Sequence, residues 1–396
     1  MPYLEYWLWL SAAPVGFKAK AQLIKRYGDA ETAFFAPDGE YARIDGVSAA
    51  EAAALERRDM GAAAFIAEEC ARTGIAIVTQ RDAAYPQRLK NIYAPPAVLY
   101  VKGTLPDLDA NAPIAVIGTR SASPYGLKMG RDMAWQIARC GGLVVSMLTN
   151  GVDAAAAKGA LLAGCKCIAV LGTPHECEPG RLPLDIAASG ALISEYPPGT
   201  KPLKSFFRDR NRIAAGISVG VVVVEAPEKS GTRLFAAEAA EQGKEIFAVP
   251  GNVDSENSSG TNALLKEGAR IALCGADVMS EFEALYPDKI KISHQTRAPK
   301  EKSEPARDFP AVSAKKDIDK ENGRGYIDLK AQLSSLTEEQ LQIITAIGKN
   351  AVHIDDIIDA TGLGTAKVLA QLTVLEIKGF VRREAGKRIT LNTAKK

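Results

Sequence analysis

Cationic and aromatic side chains alternate in one short run, a combination that suits binding of a single-stranded nucleic acid. The run comprises Lys204, Phe206, Phe207, Arg208, Arg210, Asn211 and Arg212. A cation contacts the phosphate backbone, whereas an aromatic ring stacks on a base of any identity. The run therefore predicts sequence-independent contacts to a single strand. We also expect one of the two phenylalanines in the core, and Arg212 has the helical spacing to pair with Asp209.

A second candidate is the loop 118–126, which reads GTRSASPYG. Its glycines do not follow the GxGxxG spacing, and no acidic residue stands where a ribose would be held, so no dinucleotide site is predicted. Hydroxyl groups, backbone N–H groups and one guanidinium can instead hold a phosphate. The candidate contacts are Thr119, Arg120 and Ser121. The alternative is an ordinary turn with Arg120 in solvent, and the spacing does not decide between the two.

A third polar loop, Pro250–Asn262, is rich in glycine, serine and asparagine and follows a predicted strand. This composition is typical of a backbone nest that binds an anion, because successive N–H groups can point to one place. It is equally typical of a surface loop without a ligand. Both interpretations remain open at the level of the sequence.

Side chains for enzymatic catalysis are sparse. The three histidines, His175, His294 and His353, fall in separate segments, so no Ser-His-Asp arrangement is predicted. Glu195 and Glu225 each follow a predicted strand and could form an acid–base pair. Carboxylates at such points also end strands by accepting backbone N–H bonds. We therefore expect structural roles for both.

The cysteines are few and scattered, which favours reduced thiols in a cytoplasmic protein. Cys165 and Cys167 are two residues apart, but a metal site would need further ligands that the three histidines do not supply nearby. We therefore expect no metal and no cofactor. The apolar start of the chain lacks a basic region, and no run approaches about 18 apolar residues, so neither a signal peptide nor a membrane span is predicted.

Overall charge gives no argument for nucleic-acid binding. Lys and Arg number 49 against 47 Asp and Glu, a formal net charge of +2 over 396 residues. A chain with so small an excess has no strong overall positive field, so contacts to phosphates would depend on a local patch.

The candidate residues lie between apolar segments that read as buried strands. Examples are the runs at 114–118, 143–146, 167–171, 219–224 and 246–249. Unbroken Val and Ile runs are typical of parallel strands covered on both faces. Helical patterns separate these runs, and the turn at Ser230–Thr232 opens one of them. The alternation predicts an α/β fold with a Rossmann-like, doubly wound parallel sheet, whose ligands bind at the carboxyl ends of the strands.

Composition divides the chain into four parts. Residues 1–75 are Ala-rich and helical in period, with Gly turns similar to those of SAM or helix-hairpin-helix domains. Backbone N–H groups at the helix N-termini of such domains can hold a phosphate, but few basic residues flank these turns, so we favour a packing domain over a phosphate-binding one. Residues 76–286 form the Rossmann-like domain. Residues 287–335 are polar and mixed in charge, which predicts a flexible linker. Residues 336–396 form a separate small domain.

Three helical segments and a hairpin pattern predict that the last domain is a winged helix. Its third helix would be the one that reads DNA, but it offers mainly Thr365 and Lys367. Reading of a duplex normally uses several Arg, Lys, Asn or Gln side chains. The predicted wing adds Arg382, Arg383, Lys387 and Arg388. We expect either weak contact to double-stranded DNA or contact to a protein.

The order of the motifs resembles the DprA/Smf family, the DNA-processing proteins of natural transformation. The matching segments, spread over roughly residues 80–285, are GTRSASPYG (118–126), NGVDAAAAKGAL (150–161), SGALISEYPPG (189–199), FRDRNRIAAGIS (207–218), VVVVEAPEKSGT (221–232), FAVPG (247–251) and SSGTNALLKEGA (258–269). The chain departs from the family pattern at Met147, Thr149 and Ala157, where small residues and a histidine are usual, and in a shorter loop after Leu171.

The resemblance implies a cytoplasmic, non-enzymatic protein that binds single-stranded DNA. Members of this family form homodimers, protect incoming strands and load the RecA recombinase onto them. The family's pocket residues map onto Arg120, Lys204 and Phe207 of this sequence. Less direct carry-overs are Thr119, Ser121 and Asn211.

A different function class remains as an alternative. Glu225 followed by Ser230-Gly231-Thr232 is vaguely similar to nucleotide phosphoribohydrolases of the lysine-decarboxylase-like group, which share a Rossmann-like sheet. Such an enzyme would release the base from a nucleoside monophosphate. It would not need the Arg-Asn-Arg segment together with Lys204 and Phe207, and these residues favour the single-strand binder.

Overall fold

The protein is described from a computed structural model. The structure describes residues 3–292, 338–347, 352–361, 363–377, 380–384 and 388–391. They belong to two compact units, Met1–Ser303 and Glu304–Lys396, and each is considered by itself. The predicted linker lies outside the described residues from residue 293 onward.

The first unit begins with five helices. They are α1 (Leu4–Ala12), α2 (Phe17–Tyr27), α3 (Ala30–Phe34), α4 (Ala49–Glu56) and α5 (Gly61–Thr73). Local chemistry fixes their ends: Ser48 and Glu51 form a capping box at α4, and Asp29 caps α3. Their shared core includes Trp7, Trp9 and Tyr100. Because Tyr100 belongs to the neighbouring sheet, the helices are packed directly against it.

A nine-stranded sheet follows. Its strands are β1 (Ile75–Thr79), β2 (Val98–Gly103), β3 (Pro113–Ile117), β4 (Leu143–Ser146), β5 (Cys167–Leu171), β6 (Ala191–Ser194), β7 (Gly220–Val223), β8 (Glu245–Ala248) and β9 (Arg270–Ile271). Their spatial order is β1-β2-β6-β5-β4-β3-β7-β8-β9. From β6 to β9 all pairs are parallel, whereas β1–β2 and β2–β6 are antiparallel. The predicted doubly wound parallel sheet is confirmed.

Helices cover both faces of the sheet. They are α6 (Gln87–Lys90), α7 (Pro124–Arg139), α8 (Val152–Leu162), α9 (Arg181–Ser189), α10 (Phe206–Asp209), α11 (Asn211–Ile217), α12 (Gly231–Glu241), α13 (Glu256–Lys266) and α14 (Gly275–Ser280). Alternate residues of β7 divide between the two resulting cores: Val221 and Val223 face one, and Val222 faces the other. This division explains the unbroken valine run, since both sides of the strand are buried.

The second unit contains α15 (Glu338–Ile347), α16 (Ile354–Thr361), α17 (Thr365–Ile377) and the strands β10 (Val352–His353), β11 (Val381–Glu384) and β12 (Arg388–Leu391). The strands pair in the order β10-β12-β11. Ile357, Leu372 and Ile389 lie in its core. The predicted winged helix is confirmed. Thr365, Lys367 and Arg382 are exposed, while Lys387 and the side chains of Arg383 and Arg388 lie outside the described residues.

None of the helices in the described ranges combines the length and the hydrophobicity that crossing a membrane requires.

Candidate nucleic-acid interface

The order of the strands reverses between β3 and β7. From β3 the chain proceeds through β4 and β5 to β6 on one side, and from β7 through β8 to β9 on the other. In open parallel sheets the crevice at such a reversal, at the carboxyl ends of the strands, is the usual place for a ligand. The loop 118–123 follows β3 and Glu225 lies just beyond β7, so both border this crevice.

Glu225 anchors the start of α7. Its carboxylate accepts hydrogen bonds from the backbone N–H of Ser123 at 2.9 Å and from the Ser123 hydroxyl at 2.5 Å. The hydroxyl oxygen in turn accepts from the N–H of Gly126, which caps the helix. A Cβ on Gly126 would overlap the Glu225 carboxylate, so the helix backbone itself packs against this group. Glu225 therefore holds the loop in shape, as expected for a structural carboxylate.

The backbone of loop 118–123 is fixed at both ends. The N–H of Thr119 donates to the Glu225 carbonyl at 2.8 Å, and its carbonyl accepts from Val152 at 3.3 Å. The Asn257 side chain donates to the Ser121 carbonyl at 3.1 Å. Arg120 and Ser121 are exposed and Thr119 is half-buried. The loop thus has a defined backbone from which Arg120 reaches outward.

Arg120 lies over the ring of Phe207. The guanidinium carbon is 5.5 Å from the ring centroid, within the range of a cation–π contact. Phe207 is half-buried and rests against Gly172 at the end of β5, where a Cβ would be 3.1 Å from the phenylalanine. Lys204 is exposed in the turn before α10. The structure therefore brings Arg120 and Phe207 together although they are 87 residues apart in the sequence. Lys204, which precedes Phe207 by three residues, is exposed to solvent.

Arg210 also contacts the Phe207 ring and is almost fully buried. Only 3% of the residue is exposed, and its guanidinium carbon is 5.4 Å from the Phe207 centroid. It donates to the carbonyls of Met147 at 2.5 Å and Val170 at 3.0 Å, and so ties β4 and β5 together. Burial lowers the pKa of Arg210 to about 10. Direct contact of Arg210 with DNA stays a prediction, and it requires the guanidinium to leave these carbonyls.

Arg212 is equally buried and forms an ion pair with Glu195. Its Nη2 lies 2.6 and 2.7 Å from the two carboxylate oxygens, and its guanidinium lies 4.5 Å from the ring of Phe17. The expected pairing of Arg212 with Asp209 is wrong. Helical spacing favoured Asp209, but the carboxylate of Glu195, which follows β6, binds the guanidinium instead. Asn211 is buried at the start of α11. DNA contact by Asn211 and Arg212 likewise stays a prediction.

The positions that depart from the family pattern take part in the same network. Thr149 donates to Asp153 at 2.6 Å, and the N–H of Gly118 donates to the other Asp153 oxygen at 3.1 Å. Burial raises the pKa of Asp153 to about 6. The Met147 carbonyl holds Arg210, and Ala157 is buried in the core. Thr149 and Met147 therefore support the loops that border the crevice.

Two expectations about neighbouring segments are wrong. Half of the predicted loop Pro250–Asn262 is helical, because α13 already begins at Glu256. Neither Phe206 nor Phe207 is fully buried; both are half-buried, and Phe206 stacks on Tyr196 with ring centroids 3.9 Å apart. Sequence reasoning missed Tyr196 and Asn257. In the sequence, Tyr196 is marked only as an aromatic residue two positions after a predicted strand, and Asn257 only as an asparagine in a polar motif.

Taken together, the carboxyl edge offers exposed cations beside an aromatic face, and the carboxylates of Glu195 and Glu225 are engaged. Glu195 is paired with Arg212, and Glu225 with Ser123. Within the ranges that the structure describes, no group of three His, Cys, Asp or Glu side chains is arranged to hold a metal ion. The arrangement suits attraction of phosphates and stacking of bases more than acid–base chemistry.

Two family models match the sequence. The model of the DNA recombination-mediator protein A family matches residues 76–283, more than half of the chain. The model of the DprA winged helix domain matches residues 328–387. The matched ranges together include the crevice and most of the second unit.

Individual DprA and Smf proteins are also similar to the chain. The Protein Smf of Synechocystis is 30% identical over 97% of both chains. The DNA processing protein DprA of Bacillus subtilis is 37% identical over 53% of this chain and 72% of its own length. Among solved structures, DprA of Streptococcus pneumoniae is 31% identical with a TM-score of 0.61, over 72% of this chain and 98% of that one.

Proposed function

The chain belongs to the DprA/Smf family of DNA-processing proteins, and we propose that it binds single-stranded DNA at the carboxyl edge of its sheet. The observation that carries this proposal is the Arg120 guanidinium over the half-buried Phe207 ring, next to an exposed Lys204. Cations beside an aromatic face bind the backbone and bases of a single strand without reading its sequence. The loop that presents Arg120 is already rigid, so little ordering is needed on binding.

We further propose the finer roles that the family resemblance implies. The protein would act in the cytoplasm on DNA taken up in natural transformation, protect the strand and load the RecA recombinase onto it. It would do so as a homodimer and without enzymatic activity. Engagement of Glu195 by Arg212 and of Glu225 by Ser123 supports the last point, because both carboxylates have partners of structural importance.

The alternative is hydrolysis of a nucleoside monophosphate with Glu225 as the catalytic group. Base release can be assayed directly with the purified protein and with Glu225→Gln. Turnover that disappears in this variant, while the protein stays folded, would replace the binding proposal by the enzymatic one. We expect no turnover in either protein.

The binding proposal is tested with the double variant Arg120→Ala/Lys204→Ala. Both side chains are exposed, so thermal unfolding should be unchanged. Loss of two phosphate contacts should weaken binding of an oligothymidylate and reduce the slope of log K against log salt by about 1.4. A matched control is Arg139→Ala/Lys166→Ala, which removes the same charge from exposed positions at the amino edge.

Fluorescence anisotropy at two or more salt concentrations gives both the affinity and its salt slope. The proposal is wrong if the double variant binds single strands as tightly as the natural protein at moderate salt. Equal losses in the double variant and in the control would show a general charge effect and also contradict the assigned site.

A further inference from the structure

A basic groove lies between α2 and the segment that precedes β2, away from the Arg120–Phe207 site. It has a volume of about 430 Å³ and is lined by Lys18 and Lys25 of α2 and by Lys90 of α6. None of its lining side chains is acidic. Lys18 and Lys25 are exposed. In a chain with a net charge of only +2, three lysines around one groove form a local positive patch.

An aromatic ring stands in this groove. Tyr93 is 65% exposed, and the Lys18 ammonium lies 5.5 Å from its ring centroid. The loop that carries Tyr93 is fixed: Gln80 donates to the carbonyls of Pro95 and Pro96, and the Tyr85 hydroxyl donates to Pro96 at 2.7 Å. The groove thus repeats the chemistry of the first site, a cation beside an accessible aromatic face on a rigid loop.

The strand register places both ends of the loop that carries Tyr93 at the same edge of the sheet as the first site. Thr79, the last residue of β1, pairs with Val98, the first residue of β2. Tyr100 of β2 pairs with Ser194, where β6 ends. The loop between β1 and β2 therefore starts and ends at the carboxyl edge, and its middle crosses a face of the sheet, where Arg88 donates to the Ile217 carbonyl ahead of β7.

A second groove adjoins the first and leads toward the candidate site. It has a volume of about 460 Å³, shares Ile92 and Tyr93 with the basic groove, and reaches Arg212 of α11. Its lining carries both signs of charge, with Arg88 and Lys244 facing Glu238 and Glu241. Since α11 directly follows α10, which carries Phe207, Arg212 connects this second groove to the first site along the chain.

We propose that single-stranded DNA leaving the Arg120–Phe207 site is bound a second time at Tyr93, with a base stacked on the tyrosine and phosphates at Lys18, Lys25 and Lys90. This inference rests on the proposed function, since it extends the path of the same ligand. It gives the N-terminal helices a share in binding through the lysines of α2, whereas the sequence favoured a packing role over phosphate binding at the Gly turns.

The test compares a short and a long oligothymidylate, about 6 and about 30 nucleotides, because a single-strand site commonly spans roughly 4–16 nucleotides. Tyr93→Ala should weaken binding of the long strand about tenfold through lost stacking and leave the short strand unaffected. The triple variant Lys18→Ala/Lys25→Ala/Lys90→Ala should reduce the salt slope for the long strand by about 2.

Controls separate contact from general effects. Tyr93→Phe keeps the ring and should bind the long strand like the natural protein. Lys158→Ala/Lys166→Ala/Lys266→Ala removes the same charge from exposed positions elsewhere and should change the slope little. In Tyr93→Trp the long strand should quench the added fluorescence, and the short strand should not.

Each outcome decides between the two sites. If Tyr93→Ala and the triple lysine variant bind the long strand like the natural protein while Arg120→Ala/Lys204→Ala does not, the second contact is wrong and the proposed function stands. If only the groove variants lose affinity, the assigned crevice is wrong and the groove is the binding site. Unquenched indole fluorescence in Tyr93→Trp, together with unchanged affinity in Tyr93→Ala, would also overturn the inference.

Discussion

Arginines of the candidate site occupy two contrasting environments at one ring. Arg120 is exposed and Arg210 is buried, and their guanidinium carbons lie at nearly equal distances of 5.5 and 5.4 Å from the Phe207 centroid. The exposed guanidinium is free to meet a phosphate, whereas the buried one already donates to two carbonyls. The comparison shows that two arginines at the same ring can differ completely in environment, since one is open to solvent and the other is part of the scaffold.

The two environments differ in what removal of the charge should do. An exposed cation interacts with a strand mainly through screened electrostatics, so its loss should affect binding and its salt dependence. A buried, paired cation has been taken out of water, and removal of its partner leaves an uncompensated charge. Substitutions in the first class should therefore change affinity, and those in the second should change stability.

The largest effect is expected for Arg212→Ala. It leaves Glu195 without its partner in a largely buried position and should lower the free energy of unfolding by about 3–5 kcal/mol. Urea denaturation followed by circular dichroism measures it. Arg208→Ala, four residues earlier and exposed, is the matched control, with an expected change within about 0.5 kcal/mol. Equal stabilities of the two variants would contradict the distinction between buried and exposed arginines.

The next effect concerns Asp153 and pH. Burial raises its pKa from 3.8 to about 6, so between these values the folded protein holds a proton that the unfolded chain has released. The stabilisation is present below pH 4 and is lost as pH rises through about 6, by at most roughly 3 kcal/mol. Asp153→Asn should lack this part of the pH dependence of the unfolding free energy. A pH profile that is unchanged in the variant would count against a buried carboxyl with a raised pKa.

The third effect concerns single-strand binding by the ring of Phe207. Phe207→Ala removes the ring that Arg120 covers and should weaken single-strand binding by about 1–3 kcal/mol through lost stacking. Phe207→Tyr retains a stacking face and should restore most of the affinity, which distinguishes stacking from simple loss of packing. Anisotropy titrations at constant salt give the values. If alanine and tyrosine variants bind alike, the ring does not contact a base.

The smallest effect is expected from deletion of residues 330–396. The winged helix has its own core, and the first unit contains the whole candidate site, so single-strand affinity should change by less than about twofold. Titration of the shortened protein with single- and double-stranded oligonucleotides checks this. A large loss of single-strand affinity would move the main contact out of the crevice and into the second unit.

Much of the architecture follows from local sequence. The valine run of β7 predicts a strand covered on both faces, and Ser230 before a helical pattern predicts the start of α12, where it caps the helix. Glycine spacing in the loop after β3 is enough to distinguish that loop from a dinucleotide fingerprint. These features depend on periodicity and on neighbours within a few residues, which the sequence displays directly.

The environments of individual site residues cannot be predicted from local sequence in the same way. Burial of Arg210 depends on carbonyls of Met147 and Val170, supplied by two other strands' ends. Arg212 pairs with Glu195 rather than with the nearer Asp209 because the fold, not the helix, sets that distance. Tyr93 in its groove is a similar case, since its partners come from α2. Long-range packing overrides helical spacing at Arg212, and it alone sets the surroundings of Arg210 and Tyr93.

The close packing of Gly126 against Glu225 also has a consequence for how such chains diverge. Any side chain at position 126 would collide with the carboxylate, and Ser123 relies on that carboxylate for two hydrogen bonds. Changes at these three positions should therefore be coupled. Homologues that lack the glutamate should more often carry a residue other than glycine at position 126, so that the backbone of the loop after β3 is inherited together with these contacts.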